Sequence, residues 1–385
     1  MKSLLKQSSI AAIIMLFVGT TYGFAFSQEK YNIPDHSKWM SNLRDDVPVR
    51  LVSIPGAHDA ASGTINVAGT SCQNMNINDL FDAGCRYFDF RTGFTNGFIL
   101  RMYHGIMDLS RTFSGVMDDL YKKLKDNPTE FVIVEVTIEH ETLRHDRAKR
   151  HLRSYFRHSF EEEHDVHNYW DNKEEFENAE SRWMYLLPDV TVGEARGHVL
   201  LLFNEKYDDL DMMRGPYIPS RGDGPGSICY IQGYDKDGKR FDAPVHAQNN
   251  YHFDTFEDHP ELKYKDYAEP QCEKFTEYLQ QNQNAPVWGM NFLSAYIDVV
   301  PNQYDVAKEV NHRFARFVNS NPQLYLGIVL MDYFACPFYK STSATTTNGD
   351  LVVEAVINNN RRFWDYNKIY GSGKDRREPF EMKQN

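Results

Sequence analysis

The sequence is poor in the features that would commit it to nucleic acid, to a bilayer span or to a structural metal. Its 42 Lys and Arg are outnumbered by 54 Asp and Glu, a formal net charge of −12. It therefore lacks the basic footprint that sequence-independent nucleic-acid binding requires. The same deficit excludes a general attraction to anionic lipid and leaves room only for local membrane contact. The apolar run Ile10 to Val18 falls well short of the roughly 20 residues of a spanning helix. Cysteine is scarce: Cys72, Cys85, Cys229, Cys272 and Cys336 make five, an odd count without zinc-type spacing. At least one must stay unpaired, and none is assigned to chemistry. Nor do the histidines between His140 and His167 show ligand spacing. No internal repeat or linker divides the chain.

What is present reads as one exported globular domain. Lys2 and Lys6 precede the apolar run, and Ala25 and Ser27 offer a small-x-small cleavage site. A secretory signal over 1–27 is expected, with a mature domain over 28–385 and a secreted or periplasmic destination. Apolar residues at 41% and charged residues at 25% suffice for an ordinary core.

Strands and helices alternate. Val49 to Ile54 reads as a strand broken by Pro55-Gly56, after a short helix over His36 to Arg44. A helix over Ile77 to Ala83 leads into the strand Gly84 to Arg91, and the strand Ile99 to Tyr103 delivers His104. A helix from Ser110 to Asp126 precedes the strand Phe131 to Glu139. Further strands are expected at His198–Phe203, Ser227–Gln232, Val245–Tyr251, Val287–Leu293 and Leu324–Met331. Helices are expected at Gln271–Gln283, Asn302–Asn319 and Leu351–Arg362. Between them, 140–182 carries a basic amphipathic pattern that either packs on the core or touches membrane. This order implies an α/β protein, a single-domain β/α barrel that is distorted or incompletely closed.

Chemistry concentrates where barrel strands end. His58-Asp59 follows the first strand and His104 a later one. Between them, alternation along Tyr87-Phe88-Asp89-Phe90-Arg91 puts Asp89 and Arg91 on one face. That pair either satisfies itself or serves a site. Two histidines flanking an arginine suit phosphodiester cleavage: one imidazole takes a proton from the attacking hydroxyl, the other protonates the leaving oxygen. The guanidinium neutralises the phosphoryl oxygens, so no cofactor is required.

The motifs SIPGAHD, GCRYFDFRTG, MYHG and EFVIVEV, followed by GEARGHVLLL, AQNNY and LMDY, are similar to the X-region of bacterial phosphatidylinositol-specific phospholipases C over roughly 45 to 362. The resemblance implies a distorted barrel that cleaves phosphatidylinositol, or its glycosylated anchors, to diacylglycerol and inositol 1,2-cyclic phosphate at a membrane surface, as a monomer. By motif, His58 becomes the general base on the inositol 2-hydroxyl, oriented by Asp332. His104 becomes the general acid on the diacylglycerol oxygen, assisted by Asp59; Arg91 holds the phosphate and Asp89 supports the site. Tyr251 matches a tyrosine stacking under the ring. Asn249 stands in place of an aspartate, and Lys206 lies near an inositol-binding arginine. Alternatives are a calcium-dependent phosphodiesterase using Asp59 and Asp89, or a catalytically silent lipid-binding barrel. Ile106, Met107, Leu109 and Phe113 are candidate membrane contacts.

Overall fold

Val49–Leu51 forms a turn of 3-10 helix, and the first strand, β1, is Ile54–Ala57. Pro55-Gly56 therefore lies inside the strand it was expected to break. A proline fits because its missing N–H would face β2 (Tyr87–Phe94), which pairs with β1 only from Gly56 onward. Its carbonyl still accepts from the Arg86 N–H at 2.9 Å. At Gly56 a Cβ would lie 3.0 Å from that of Tyr87, so glycine permits the strands to close. This computed structural model describes residues 35–64, 71–94, 99–141, 152, 183–204, 216–219, 221–235, 237–253, 262–282, 285–297, 303–334 and 348–370. All of them belong to one compact unit, Ile33–Asn385.

The other strands are β3 (Leu100–His104), β4 (Met107–Thr112), β5 (Val132–Glu141), β6 (Trp183–Tyr185), β7 (Val199–Phe203), β8 (Ser227–Tyr234), β9 (Arg240–Gln248), β10 (His252–Phe253), β11 (Trp288–Phe292), β12 (Tyr296–Ile297) and β13 (Ile328–Met331). Their spatial order is β6-β7-β5-β2-β1-β13-β11-β9-β8. Every pair in it is parallel except β8 with β9. Burial on both faces explains why β5 and β7 read as apolar runs; Val199 to Phe203 are all fully buried. Among the described residues the curl closes through Tyr217, which bridges β7 at Phe203 and β8 at Gln232. The barrel is thus distorted at this seam, as expected.

The α-helices with described bounds are α1 (Ile77–Asp82), α2 (Phe113–Asp126), α3 (Val192–Ala195), α4 (Glu269–Gln281), α5 (Gln303–Ser320), α6 (Gly349–Asn359) and α7 (Tyr366–Tyr370). Helix α2 starts three residues later than expected. The intervening chain forms β4, which returns antiparallel on β3. Thr112 then caps the helix, accepting from the Gly115 N–H at 3.1 Å. The stripe Val116, Leu120 and Leu124 is buried, and α5 buries Val306, Val310, Phe314 and Val318 in the same way. The expected first helix is a 3-10 turn, Trp39–Asn42. The expected signal segment, nearly all of the 140–182 region, Lys206 and Cys336 lie outside the described residues.

Below the strands' amino ends, Arg86 and Glu130 are both fully buried. Arg86 Nε and Nη2 donate to Glu130 Oε2 at 3.1 and 2.8 Å, and its other protons reach the carbonyls of Phe81, Cys85 and Ser37. This outward-facing arginine is a structural tie, on the opposite strand face from Asp89 and Arg91.

Candidate active site

The carboxyl ends of β1, β2, β5, β9, β11 and β13 surround a cleft of about 460 Å³ lined by His58, Asp89, Arg91, His104, Asn249, Tyr251 and Asp332. The two histidines thus open on one cavity. Their ring nitrogens each lie within 4.8 Å of Cys72 Sγ. His104 reaches the cleft from the β3–β4 hairpin rather than from a barrel strand, and so faces His58 from the side.

His58 sits one residue past β1, and Asp332 one residue past β13, its parallel neighbour. Register alone therefore brings them together: the His58 N–H donates to the Met331 carbonyl at 3.1 Å. His58 Nδ1 lies 2.7 Å from Asp332 Oδ1 and its Nε2 lies 2.7 Å from Arg91 Nη2. Gln73, which sequence reading missed, clamps both strand ends. Its Nε2 donates to the carbonyls of His58 at 2.8 Å and Met331 at 2.9 Å, while its Oε1 accepts from the Phe334 N–H. No periodic pattern marks Gln73, so only the fold reveals it.

Arg91 is ion-paired with Asp89 at 3.3 Å and with Glu139 at 2.9 Å. Burial opposes its charge, but Asp89, Asp59 and Glu139 outweigh that and hold the guanidinium charged far above neutrality. Burial likewise acts to raise Asp89. Arg91, His58 and the Asp59 N–H overcome it and keep Asp89 below the ordinary carboxylate range. Asp89 and Arg91 pair with each other and both line the cleft, so self-pairing does not exclude a place in the site. Glu139 was missed although its signal was visible: Glu135, Thr137 and Glu139 alternate on β5 just as Asp89 and Arg91 do on β2. Its second oxygen accepts from the Gly105 N–H at 2.9 Å, tying Arg91 to the turn that carries His104.

Asp59 is fully buried with φ +43°, a left-handed conformation that aspartate tolerates better than most residues. Its backbone N–H donates to Asp89 Oδ2 at 3.2 Å. His104 Nδ1 stands 3.6 Å from Asp59 Oδ2, and neither carboxylate oxygen has a hydrogen-bond partner among the described residues. Burial pushes this carboxyl up to about 8, against the pull of Arg91 and His58.

On the other wall, Tyr251 is 50% exposed, so its ring is available to a ligand rather than spent in a core. Lys263 is fully buried and donates to Gln248 Oε1 at 3.1 Å and to the Asn250 carbonyl, fixing the chain at the end of β9. Burial brings Lys263 down to about 7. Arg221, also missed because it sits in a Gly- and Pro-rich loop, lines the cleft and pairs with Glu135. Of the candidate membrane residues, Leu109 and Phe113 are buried, whereas Ile106 is 77% exposed beside His104.

Fold and site together define the class: a distorted, single-domain β/α barrel with an imidazole–guanidinium cleft at the carboxyl ends of its strands. No family model matches the chain. It is 31% identical over 138 residues to the 1-phosphatidylinositol phosphodiesterase of Listeria monocytogenes, a match spanning 33% of this chain and 42% of the relative. It is 22% identical over 378 residues to the Staphylococcus aureus protein of that name, covering 94% of this chain and all of the relative. Among solved structures, phosphatidylinositol-specific phospholipase C from S. aureus superposes with TM-score 0.60 at 16% identity, covering 84% of this chain and 97% of that one. The L. monocytogenes enzyme gives 0.55 at 20% identity, covering 85% and 100%. The chain is thus similar in sequence to bacterial 1-phosphatidylinositol phosphodiesterases and shares the fold of bacterial phosphatidylinositol-specific phospholipases C.

Proposed function

We propose that this protein is an exported phosphodiester lyase that cleaves phosphatidylinositol, or the same unit in a glycosylated anchor, to diacylglycerol and inositol 1,2-cyclic phosphate at a membrane surface. The observation that carries this reading is the convergence of His58–Asp332, Arg91 and His104–Asp59 on one cleft. His58 Nε2 removes the proton of the inositol 2-hydroxyl while Asp332 steadies the imidazolium that forms. The alkoxide attacks phosphorus and closes the cyclic ester. His104 protonates the departing diacylglycerol oxygen, with Asp59 behind it. Arg91 turns from its carboxylate partners to the phosphoryl oxygens, where its charge matters most as negative charge builds up. Asp89 keeps the guanidinium aimed into the cleft.

On the opposite wall Tyr251 stacks under the inositol ring. Asn249 and Arg221 supply hydrogen bonds to its hydroxyls, and Lys206 is a further candidate donor. The names of the relatives support phosphatidylinositol as the substrate, and the exposed Ile106 beside His104 supports work at a lipid surface. A calcium-dependent mechanism through Asp59 and Asp89 is disfavoured because Arg91 already brings a fixed cation against Asp89. A silent lipid-binding barrel would have no need of two oriented imidazoles.

Phosphorus NMR of phosphatidylinositol vesicles treated with the protein tests the reading. A cyclic inositol phosphate signal that forms equally with and without EDTA is expected. Loss of turnover in chelator would replace the arginine mechanism with the metal-dependent one. Binding without turnover would leave only the silent barrel.

A further inference from the structure

We propose that Cys72, with His104 and Asp59, forms a binding site for a thiophilic divalent cation, zinc above all, whose occupancy shuts the active site. The sulfur of Cys72, a ring nitrogen of His104 and a carboxylate oxygen of Asp59 lie within 4.8 Å of one another. Thiolate, imidazole and carboxylate are the donors that zinc takes. The 3.6 Å between His104 Nδ1 and Asp59 Oδ2 is long for a hydrogen bond. It is close to the separation of two ligands on one tetrahedral zinc, roughly 3.4 Å for bonds near 2.1 Å.

Two further observations point to a ligand. Asp59 is fully buried and its carboxylate oxygens lack hydrogen-bond partners among the described residues, an arrangement that is costly unless something else satisfies them. Cys72 is also held rigidly. Its N–H donates to Ser62 Oγ at 3.1 Å and its carbonyl accepts from the Tyr333 N–H at 2.7 Å, pinning it between the segments that carry Asp59 and Asp332. Cys72 is buried but lines the cleft, the side from which a cation would approach it. Binding breaks the S–H bond and forms a metal–sulfur bond. The thiol proton, with that of Asp59 where the carboxyl is protonated, leaves to solvent. The imidazole of His104 is then tied up and cannot protonate a leaving oxygen. Hard cations such as calcium and magnesium have no preference for sulfur and do not fit the site.

The inhibition readout rests on the proposed reaction, but metal binding does not, so the two are measured separately. Zinc chloride is titrated calorimetrically into the full chain and into C72A and C72S, and activity on phosphatidylinositol vesicles is followed in parallel. Expected are one zinc per chain, inhibition that tracks occupancy, and no effect of calcium. The cysteine variants should keep zinc-free activity and lose at least about tenfold in zinc affinity, the size of loss seen even for outer-shell partners. Cobalt(II) should give a thiolate charge-transfer band in the wild type and none in C72A. Equal zinc affinity in wild type and variants, absence of that band, or no zinc binding at all would each overturn the site. If the proposed lyase reading failed, there would be no turnover to inhibit, yet zinc would still bind.

Discussion

His58 Nε2 and an Arg91 guanidinium nitrogen lie 2.7 Å apart. Arginine has no acceptor, so Nε2 must present a lone pair and the single imidazole proton must sit on Nδ1, donated to Asp332. His58 is therefore held in the tautomer that its proposed role as base requires. Asp332→Asn removes this enforcement, because an amide can donate to Nδ1 and favour the other tautomer. A loss in kcat of about 10²- to 10⁴-fold is expected, with little change in KM. Steady-state kinetics beside a circular dichroism spectrum check it; near wild-type kcat would detach Asp332 from the base.

Asp59 links the site to stability. Its folded pKa is raised from 3.8 to about 8, so between those values the folded state holds a proton that the unfolded chain has released. Stability contributed by that proton is present at the acid end and is lost as pH climbs toward 8. Asp59→Asn, a neutral near-isostere, should flatten this part of the pH–stability curve and gain on the wild type as pH rises, by a few kcal/mol at most (about 1.4 per pKa unit). Urea unfolding of both proteins from pH 5 to 8 reads it out. Parallel curves would place the charge elsewhere. The same variant should lose activity, since it weakens support of His104.

Much of this was legible before the fold was known, and the exceptions have physical causes. The alternation that put Asp89 and Arg91 on one face is a local consequence of strand geometry, and it held. The same rule applied to β5 would have yielded Glu139. Pro55-Gly56 misled because a proline is tolerated where the neighbouring strand has not yet begun to pair, a fact about β2 rather than about residues 54–57. Strand β4 was invisible because Met107-Asp108-Leu109-Ser110 reads equally as a helix approach; pairing with β3 decides it. Gln73, Arg221 and Lys263 act through contacts distant in sequence and carry no local mark. Arg86, just before β2, and Arg91, within it, lie five residues apart, yet only the second lines the cleft. The difference is the face each occupies.

That difference predicts a variant that damages stability without touching chemistry. Glu130→Gln leaves the fully buried Arg86 guanidinium without its counter-charge, and breaking a buried pair from one side costs about 3–5 kcal/mol. A correspondingly lower urea midpoint is expected, with kcat and KM unchanged at temperatures where the fold survives. A shift in kcat at full folding would show that the bottom of the barrel communicates with the cleft.

Ile106 is 77% exposed at the tip of the β3–β4 hairpin, two residues from His104. A chain of net charge −12 gains little from lipid charge, so contact has to come from apolar side chains such as this one. Its insertion would contribute roughly 1.5–3 kcal/mol, on the scale of burying an isoleucine side chain. Ile106→Asp should therefore weaken vesicle binding by about tenfold or more. Turnover of a soluble inositol phosphodiester, which needs the cleft alone, should stay near wild type. Vesicle sedimentation and the two activity assays, run together, separate these effects. An equal loss on soluble and vesicular substrate would mean that the hairpin tip shapes His104 rather than the encounter with lipid.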